Sequence, residues 1–331
     1  MEIKAADVAK LRAMTGAGMM DCKKALVEAE GDFERAQAII REKGKLVAAK
    51  RADRQTTEGA VVSRVNGTKA VLVCLGCETD FVAKNEEFKA LAEAIADAAI
   101  AAFPADAAGL LATTMANGET VEAAITQQTG KTGEKHSLVS YEAVEAPFIA
   151  DYIHKINGKL GALVGFNKEV SNEVARGLAM QVASMKPVAI SAQDCPQEVI
   201  DNELKTAVEK TKEELVQKAV DSALNKAGIN PAHVDSEAHI ESNMSKGWIT
   251  PEQAEQAREI IKTVSAEKAA NLNEGMVQNI AKGRLQKFFK ENTLEEQAYQ
   301  MGDGKTSVKD VLAAADAEAK VVAFKRISLN D

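Results

Sequence analysis

The sequence has few of the features that mark secreted or membrane proteins. Its four cysteines in 331 residues are too few and too scattered for a disulfide framework. No apolar run approaches the length that spans a bilayer, and the first residues carry charge at Glu2 and Lys4 without an apolar signal core. We therefore expect a cytoplasmic protein with reduced thiols and no membrane partner.

An excess of basic residues is also missing. The chain has 41 Lys and Arg against 49 Asp and Glu, a formal net charge of -8. A protein whose main task is to neutralise nucleic-acid phosphates usually shows the opposite balance. We therefore expect no direct binding of nucleic acid.

Recognisable catalytic motifs are absent as well. Two stretches resemble a phosphate-binding loop, TGKTGEK and GDGKTS, but the first glycine of that motif is replaced by Ile125 and Tyr299. No nucleophile, base and orienting group occur at a spacing that can be read from the sequence. The sequence therefore predicts a protein without catalytic residues or a cofactor.

A metal or redox site is not favoured by the cysteines and histidines. Cys74 and Cys77 form a C-x-x-C pair, but in a strand-like segment residues three apart point to opposite faces. The histidines have no ligand spacing: His136, His154, His233 and His239. We predict two core thiols and no metal site. A thiol oxidoreductase stays an alternative, which activity of a Cys74/Cys77 double serine variant would exclude.

Residues 1–54 are predicted to form a three-helix bundle followed by a linker. Val8 and Leu11 share one face of the first helix, the stretch TGAG ends it, MMDCKKALVEAEG forms the second helix, and Asp32 caps the third. Gly44 marks the end of that helix. The basic stretch KGKLVAAKRADRQTTEG then indicates a linker, so the bundle is interpreted as a separate recognition module.

The middle of the chain contains an internal repeat within an α+β fold. SRVNGTKAVLV at 63–73 resembles HKINGKLGALV at 154–164, and each has an Asn-Gly pair that favours a primed hairpin turn. Both second strands lead into an alanine-rich helix. We predict duplicated antiparallel hairpin-plus-helix subdomains, the first at 55–140 and the second at 141–190 together with 272–331.

Residues 191–271 are predicted to form a helical-hairpin arm with a coiled-coil seam. TPEQ provides the start of the second arm helix, with a cap and a first-turn proline. The seam consists of two stripes at helical spacing: Ile200, Leu204, Val208, Leu215 and Ala219, and Ala254, Ala257, Ile261 and Val264. The many charges of the arm are typical of a solvated surface.

Phe81 needs an explanation, because aromatic residues make up only 4% of the chain. With Asp80 it lies at a strand-to-helix junction in LGCETDFVAKNEEF, whereas the second repeat has the plainer FNKEVSNEV. From the residues alone, Asp80 could cap the helix and Phe81 could fill its core. Met19 and Met20 could likewise be core residues.

Four segments resemble the elongation factor Ts family: LRAMTGAGMMDCKKAL at 11–26, ETDFVAKNEEF at 78–88, LAMQVASMKP at 178–187 and KGRLQKFF at 282–289. The resemblance extends over nearly the whole chain. It implies a UBA-like amino-terminal bundle and a protein that binds the GDP form of elongation factor Tu and promotes GDP release without covalent chemistry. The alternative is an adaptor or chaperone that binds a partner without changing its nucleotide state.

The resemblance also implies roles for particular residues. The segment expected beside the partner's magnesium site consists of Thr79, Asp80, Phe81 and Val82. The residues expected to grip the GTPase domain are Arg12, Met19 and Met20, and His154 is a weaker contact candidate. The arm looks longer than in better-known bacterial members. Because the chain ends at Asp331, we expect no contacts from the carboxy-terminal helical module of some members.

Overall fold

The computed structural model describes residues 3–156 and 158–329, and its contacts divide the chain into two units. Unit 1 comprises Met1–Ile190 and Gln297–Asp331, and unit 2 comprises Ser191–Glu296. The predicted α+β class is confirmed by amino-terminal helices, two three-stranded antiparallel sheets and long paired helices. Among the described residues, no helix is both long enough and apolar enough to cross a membrane.

Three helices form the amino-terminal module: α1 Ala5–Thr15, α2 Met19–Glu28 and α3 Phe33–Lys50. Val8, Leu11 and Leu26 are buried in its apolar cluster. As predicted, Asp32 caps α3, because its carboxylate accepts a hydrogen bond from the Arg35 N–H at 3.0 Å. The module therefore has the predicted three helices with a core of their own.

The prediction that α3 ends at Gly44 is wrong, because the helix continues to Lys50, into the stretch that was expected to be a linker. Gly44 is buried inside α3 and packs against Gly130, and a Cβ added at Gly130 would lie 2.7 Å from the Gly44 Cα. A glycine pair lets two helix backbones approach each other closely. Gly44 thus marks a helix crossing rather than a helix end.

The first sheet has the strand order β1-β2-β3 and is antiparallel throughout. Its strands are β1 Glu58–Asn66, β2 Lys69–Cys77 and β3 His136–Glu145. Between β2 and β3 lie α4 Asp80–Ala83, α5 Glu86–Ala102, α6 Ala107–Ala112 and α7 Val121–Thr132. Strand β3 crosses residue 140, which was predicted as a subdomain boundary.

The second sheet has the order β4-β5-β6 and is also antiparallel. Its strands are β4 Phe148–Ile153, β5 Leu160–Phe166 and β6 Val321–Ser328, accompanied by α8 Asn172–Met185 and α13 Val308–Ala315. Helix α8 covers this sheet as α5 covers the first. The predicted repeat of a hairpin followed by a helix is therefore present in both halves of unit 1.

Strand β2 is buried on both faces, because unit 1 is layered as helices, sheet, sheet and helices. Val71, Val73 and Leu75 pack in the cluster that includes α5. The alternating residues Leu72 and Cys74 pack in a second cluster with residues of the other sheet. Side chains of a strand alternate between its faces, so one continuous apolar run serves two cores.

A two-residue turn connects the strands of the first hairpin. Asn66 pairs with Lys69, so the first turn consists of Gly67 and Thr68, and Gly67 has a φ of 60°. A glycine with positive φ at the first turn position is typical of a type II′ turn. In the second repeat, Asn157 of the predicted Asn-Gly pair lies outside the described residues.

Unit 2 contains four α-helices among its described residues: α9 Gln197–Lys226, α10 Glu237–Ser245, α11 Pro251–Ala270 and α12 Glu274–Asn292. Helix α11 runs along α9, and Thr250 and Gln253 form the predicted capping box at its start. A connection with a short 3-10 turn, α10 and the exposed Trp248 joins α9 to α11. This pairing agrees with the expected helical hairpin.

Residues 272–296 were predicted with the second subdomain, but their contacts place them in unit 2. Helix α12 packs along α9, with Val277 and Ala281 buried. Two exposed ion pairs accompany this packing: Lys212 with Glu274 at 2.9 Å, and Glu214 with Arg284 at 2.5 Å. The amphipathic pattern of α12 was recognised, but the pattern does not specify which neighbour covers the apolar face.

Candidate partner-binding site

The Thr79–Val82 segment belongs to the one-turn helix α4, which follows β2 and has Thr79 as its N-cap residue. The Thr79 hydroxyl oxygen caps this helix by accepting a hydrogen bond from the Val82 N–H at 3.5 Å. Val82 and Ala83 pack against the core of the first subdomain. Phe81, in the same turn, is 82% exposed, so it does not fill the core.

Glu134, in the loop between α7 and β3, holds the start of this turn. One carboxylate oxygen accepts a hydrogen bond from the Thr79 N–H at 3.1 Å, and the other accepts one from the Thr79 hydroxyl at 2.8 Å. Hydrogen bonds to an ionised carboxylate are stronger than those between neutral groups. Glu134 was not predicted from the sequence, because Glu134 and Thr79 are far apart in the chain.

Glu78, the residue before Thr79, ties the same junction to the end of the amino-terminal module. Its carboxylate pairs with Arg54 at 2.8 Å and Arg51 at 3.6 Å, and accepts a hydrogen bond from the Lys135 N–H at 2.6 Å. Burial raises the pKa of Glu78, but the hydrogen bonds from Lys135 and Arg54 outweigh this effect and lower the pKa. Glu78 is therefore ionised at neutral pH.

Asp80 lies beside Phe81 with its side chain half exposed, and it is paired with Lys84, whose ammonium lies 2.6 Å from the carboxylate. The hydrogen bond from Lys84 lowers the pKa of Asp80. The N-terminal cap of the turn comes from Thr79 and not from Asp80. Asp80 thus presents a negative charge at the surface, where a partner group can compete with Lys84 for it.

The residues expected to grip the partner lie on the surface of the amino-terminal module. Arg12 is exposed in the last turn of α1. Met19 and Met20 begin α2 and are 55% and 63% exposed. Neither methionine is a core residue, so both are available for contact with another protein.

His154 belongs to a different part of unit 1, the loop between β4 and β5. It is half-buried, and its Nδ1 lies 2.9 Å from the Tyr152 hydroxyl. The structure therefore places Thr79–Val82 in one turn beside the first sheet, whereas His154 lies in a loop of the second sheet.

The two cysteines of the C-x-x-C pair are buried in different apolar clusters. Burial raises the pKa of each thiol to about 12, so both are protonated at neutral pH. Among the residues that the structure describes, no group of His, Cys, Asp and Glu side chains is arranged to hold a metal ion. The placement of Cys74 and Cys77 matches the predicted core thiols.

Comparison with known proteins identifies the family. The family profile described as Elongation factor TS matches residues 78–331. Elongation factor Ts of Bacteroides fragilis is 54% identical and that of Parabacteroides distasonis 52% identical, each over 329 residues covering 99% of both chains. Elongation factor Ts of Porphyromonas gingivalis is 38% identical over 330 residues, covering 100% of this chain and 99% of the relative.

The chain belongs to the elongation factor Ts family. Elongation factor Ts is a nucleotide exchange factor of translation elongation and catalyses no covalent chemistry. The profile match begins at Glu78, so it includes the Thr79–Val82 turn but not Arg12, Met19 or Met20. The alignments with the relatives extend over the amino-terminal module as well.

Proposed function

We propose that this exchange factor binds elongation factor Tu in its GDP form and inserts Phe81 beside the partner's magnesium site. The observation that carries this proposal is the 82% exposed Phe81 side chain on a turn that Thr79 and Glu134 hold in place. Transfer of a phenylalanine ring into an apolar crevice supplies roughly 1.5 to 3 kcal/mol. That free energy is available to hold the partner's magnesium-binding elements out of place.

Exchange by this route needs no catalytic group on the factor. A GTPase holds GDP through backbone N–H groups, a lysine of the phosphate loop and a magnesium ion that bridges the phosphates. A protein that binds the nucleotide-free GTPase more tightly than the loaded one weakens nucleotide binding by the same factor, by linkage. The proposed wedge is one source of that difference in affinity.

The amino-terminal module, proposed as residues 1–54, supplies the second contact in this proposal. Arg12, Met19 and Met20 are exposed there and offer one positive charge and two flexible apolar side chains. Methionine adapts its shape to irregular apolar surfaces. We assign to this surface the capture of the GTPase domain, and to Phe81 the disturbance of its magnesium site. His154 is a weaker candidate contact from the second sheet.

The substitution Phe81→Ala tests the wedge. Catalysed release of fluorescent GDP from cognate elongation factor Tu should slow about tenfold, which corresponds to about 1.4 kcal/mol in the rate-limiting step. The melting temperature of the exchange factor itself should change little, because the Phe81 side chain is exposed.

Phe166→Ala is the matched control, since it removes the same ring from a fully buried position in the second sheet, away from the Phe81 turn. That variant should lose about 3 to 5 kcal/mol of stability but retain normal exchange per folded molecule. Normal exchange by Phe81→Ala would contradict the wedge. Tight binding of elongation factor Tu by the unmodified chain without any acceleration of GDP release would support the adaptor alternative.

A further inference from the structure

Phe81 can act as a wedge only if its one-turn helix keeps its position when the ring meets the partner. Helix α4 is a single turn, and helices this short are not stable on their own in water. The exposed ring also makes little packing contact that would hold the turn. The position of Phe81 must therefore be fixed by the residues on either side of it.

On the carboxyl side, the turn is held by apolar packing of Val82 and Ala83. On the amino side, it is held by Glu134, which accepts hydrogen bonds from both donors of Thr79. The same Thr79 hydroxyl oxygen accepts the Val82 N–H and caps α4. Glu134 thus orients the group that begins the helix.

Glu134 is itself fixed through its backbone. Its N–H donates to the Thr132 hydroxyl at 3.1 Å, and its carbonyl oxygen accepts a hydrogen bond from Nδ1 of the buried His136 at 2.9 Å. The N–H of the next residue, Lys135, donates to Glu78 at 2.6 Å. The loop therefore binds residues 78 and 79 at two consecutive positions.

We propose that Glu134 is a positioning residue for nucleotide exchange, which acts by fixing the turn that presents Phe81. This inference rests on the proposed role of Phe81. A contact surface that is held in its binding geometry before association does not lose free energy to ordering when it binds. Without Glu134, only a fraction of the molecules present Phe81 correctly, and the apparent affinity for the partner falls by that fraction.

The test is a double-mutant cycle on the rate of catalysed GDP release. Glu134→Ala should slow release about five- to tenfold at subsaturating factor concentration. In a Phe81→Ala background, the same substitution should have almost no further effect, because residues that act through one contact are not additive. Glu122→Ala, which removes an exposed carboxylate at the start of α7, is the matched control and should be normal in both backgrounds.

Two further variants separate positioning from a general loss of stability. Glu134→Gln keeps an oxygen that accepts the Thr79 N–H and should recover part of the rate, whereas Thr79→Val removes the hydroxyl and should resemble Glu134→Ala. All rates are compared per folded molecule, determined by circular dichroism. These variants keep the proposal testable if Glu134→Ala folds poorly.

The outcomes distinguish the two proposals. A slow Phe81→Ala variant with a normal Glu134→Ala variant overturns the positioning role and leaves the wedge intact. An equal slowing by Glu134→Ala with and without Phe81 also overturns it, because Glu134 then acts by another route. A normal Phe81→Ala variant overturns the wedge and the positioning role together.

Discussion

His136 is a buried histidine that connects the core to the loop carrying Glu134. Its ring packs 5.6 Å from the Phe88 ring between centroids, and its Nδ1 bonds the Glu134 carbonyl oxygen. Because a carbonyl oxygen only accepts hydrogen bonds, Nδ1 carries the proton. The buried Nε2 has no hydrogen-bond partner among the described residues. Protonation of Nε2 would place a charge in an apolar site.

A loss of stability in mild acid is the predicted consequence. Burial lowers the pKa of His136, although the carbonyl and carboxylate of Glu134 and the carboxylate of Glu78 oppose the shift. The unfolded chain, with a histidine pKa of about 6.5, therefore binds a proton at a pH where the folded chain does not. The free energy of unfolding should fall as pH decreases from about 6.5 toward the lower folded pKa, by at most about 1.4 kcal/mol per pH unit.

Urea unfolding at pH 7.5 and 5.5 measures this effect. His136→Leu should flatten the dependence of the free energy of unfolding on pH. Equal slopes for the unmodified chain and His136→Leu would show that other groups control the acid sensitivity.

The crossing of α3 and α7 shows how two glycines in one contact can tolerate alanine differently. A Cβ added at Gly44 has its nearest neighbours at 3.8 Å, which is ordinary contact. A Cβ added at Gly130 lies 2.7 Å from the Gly44 Cα, so one helix backbone has to move. This close backbone contact is part of the packing of the module on the first subdomain.

Gly44→Ala should stabilise the protein slightly, by about 0.5 to 1 kcal/mol, because alanine favours the helix interior. Gly130→Ala should destabilise it by about 1 to 3 kcal/mol despite the same gain in helix propensity, because of the clash. Urea unfolding of the two variants checks the prediction. Equal stabilisation by both substitutions would mean that the two helices separate without cost.

Some features of these elements could be predicted from the sequence, and others could not. The capping box at Thr250 and the two hairpins followed by helices were predicted, because turn and cap residues act locally. The continuation of α3 past Gly44 was not, since a glycine that ends a helix and one that permits a crossing look alike in sequence. The contact between Glu134 and Thr79 was missed for a similar reason: hydrogen bonds between distant segments leave no spacing that can be recognised.

At the scale of the whole molecule, each unit has apolar clusters of its own. The cluster formed by α9, α10, α11 and their connection contains only residues of unit 2: Val220, Leu224, Ile229, Val234, Ile240, Ile249, Ala254 and Ala257. The clusters around α5, between the sheets and in the amino-terminal module contain residues of unit 1 alone. These clusters therefore do not depend on one another for burial.

Replacement of residues 216–262 by a short flexible linker should leave unit 1 folded. This deletion removes the arm cluster but keeps the ion pair between Glu214 and Arg284. We expect the free energy of unfolding of unit 1 to change by less than about 0.5 kcal/mol. For a domain of this size, that change corresponds to a shift of about 1 to 2 °C in melting temperature. The circular dichroism melt of the shortened chain should therefore retain the transition of unit 1. Its complete loss would contradict the independence of the units.

Trp248 is the only tryptophan of the chain, and its ring centroid is 5.1 Å from the Lys246 ammonium and 5.5 Å from the centroid of the His233 ring. The fluorescence emission of Trp248 therefore reports on the connection between α9 and α11 and not on the sheets of unit 1. A denaturation curve followed by tryptophan fluorescence would record the arm alone. Combined with far-ultraviolet dichroism, this built-in optical label distinguishes the unfolding of the arm from that of unit 1 without any added dye.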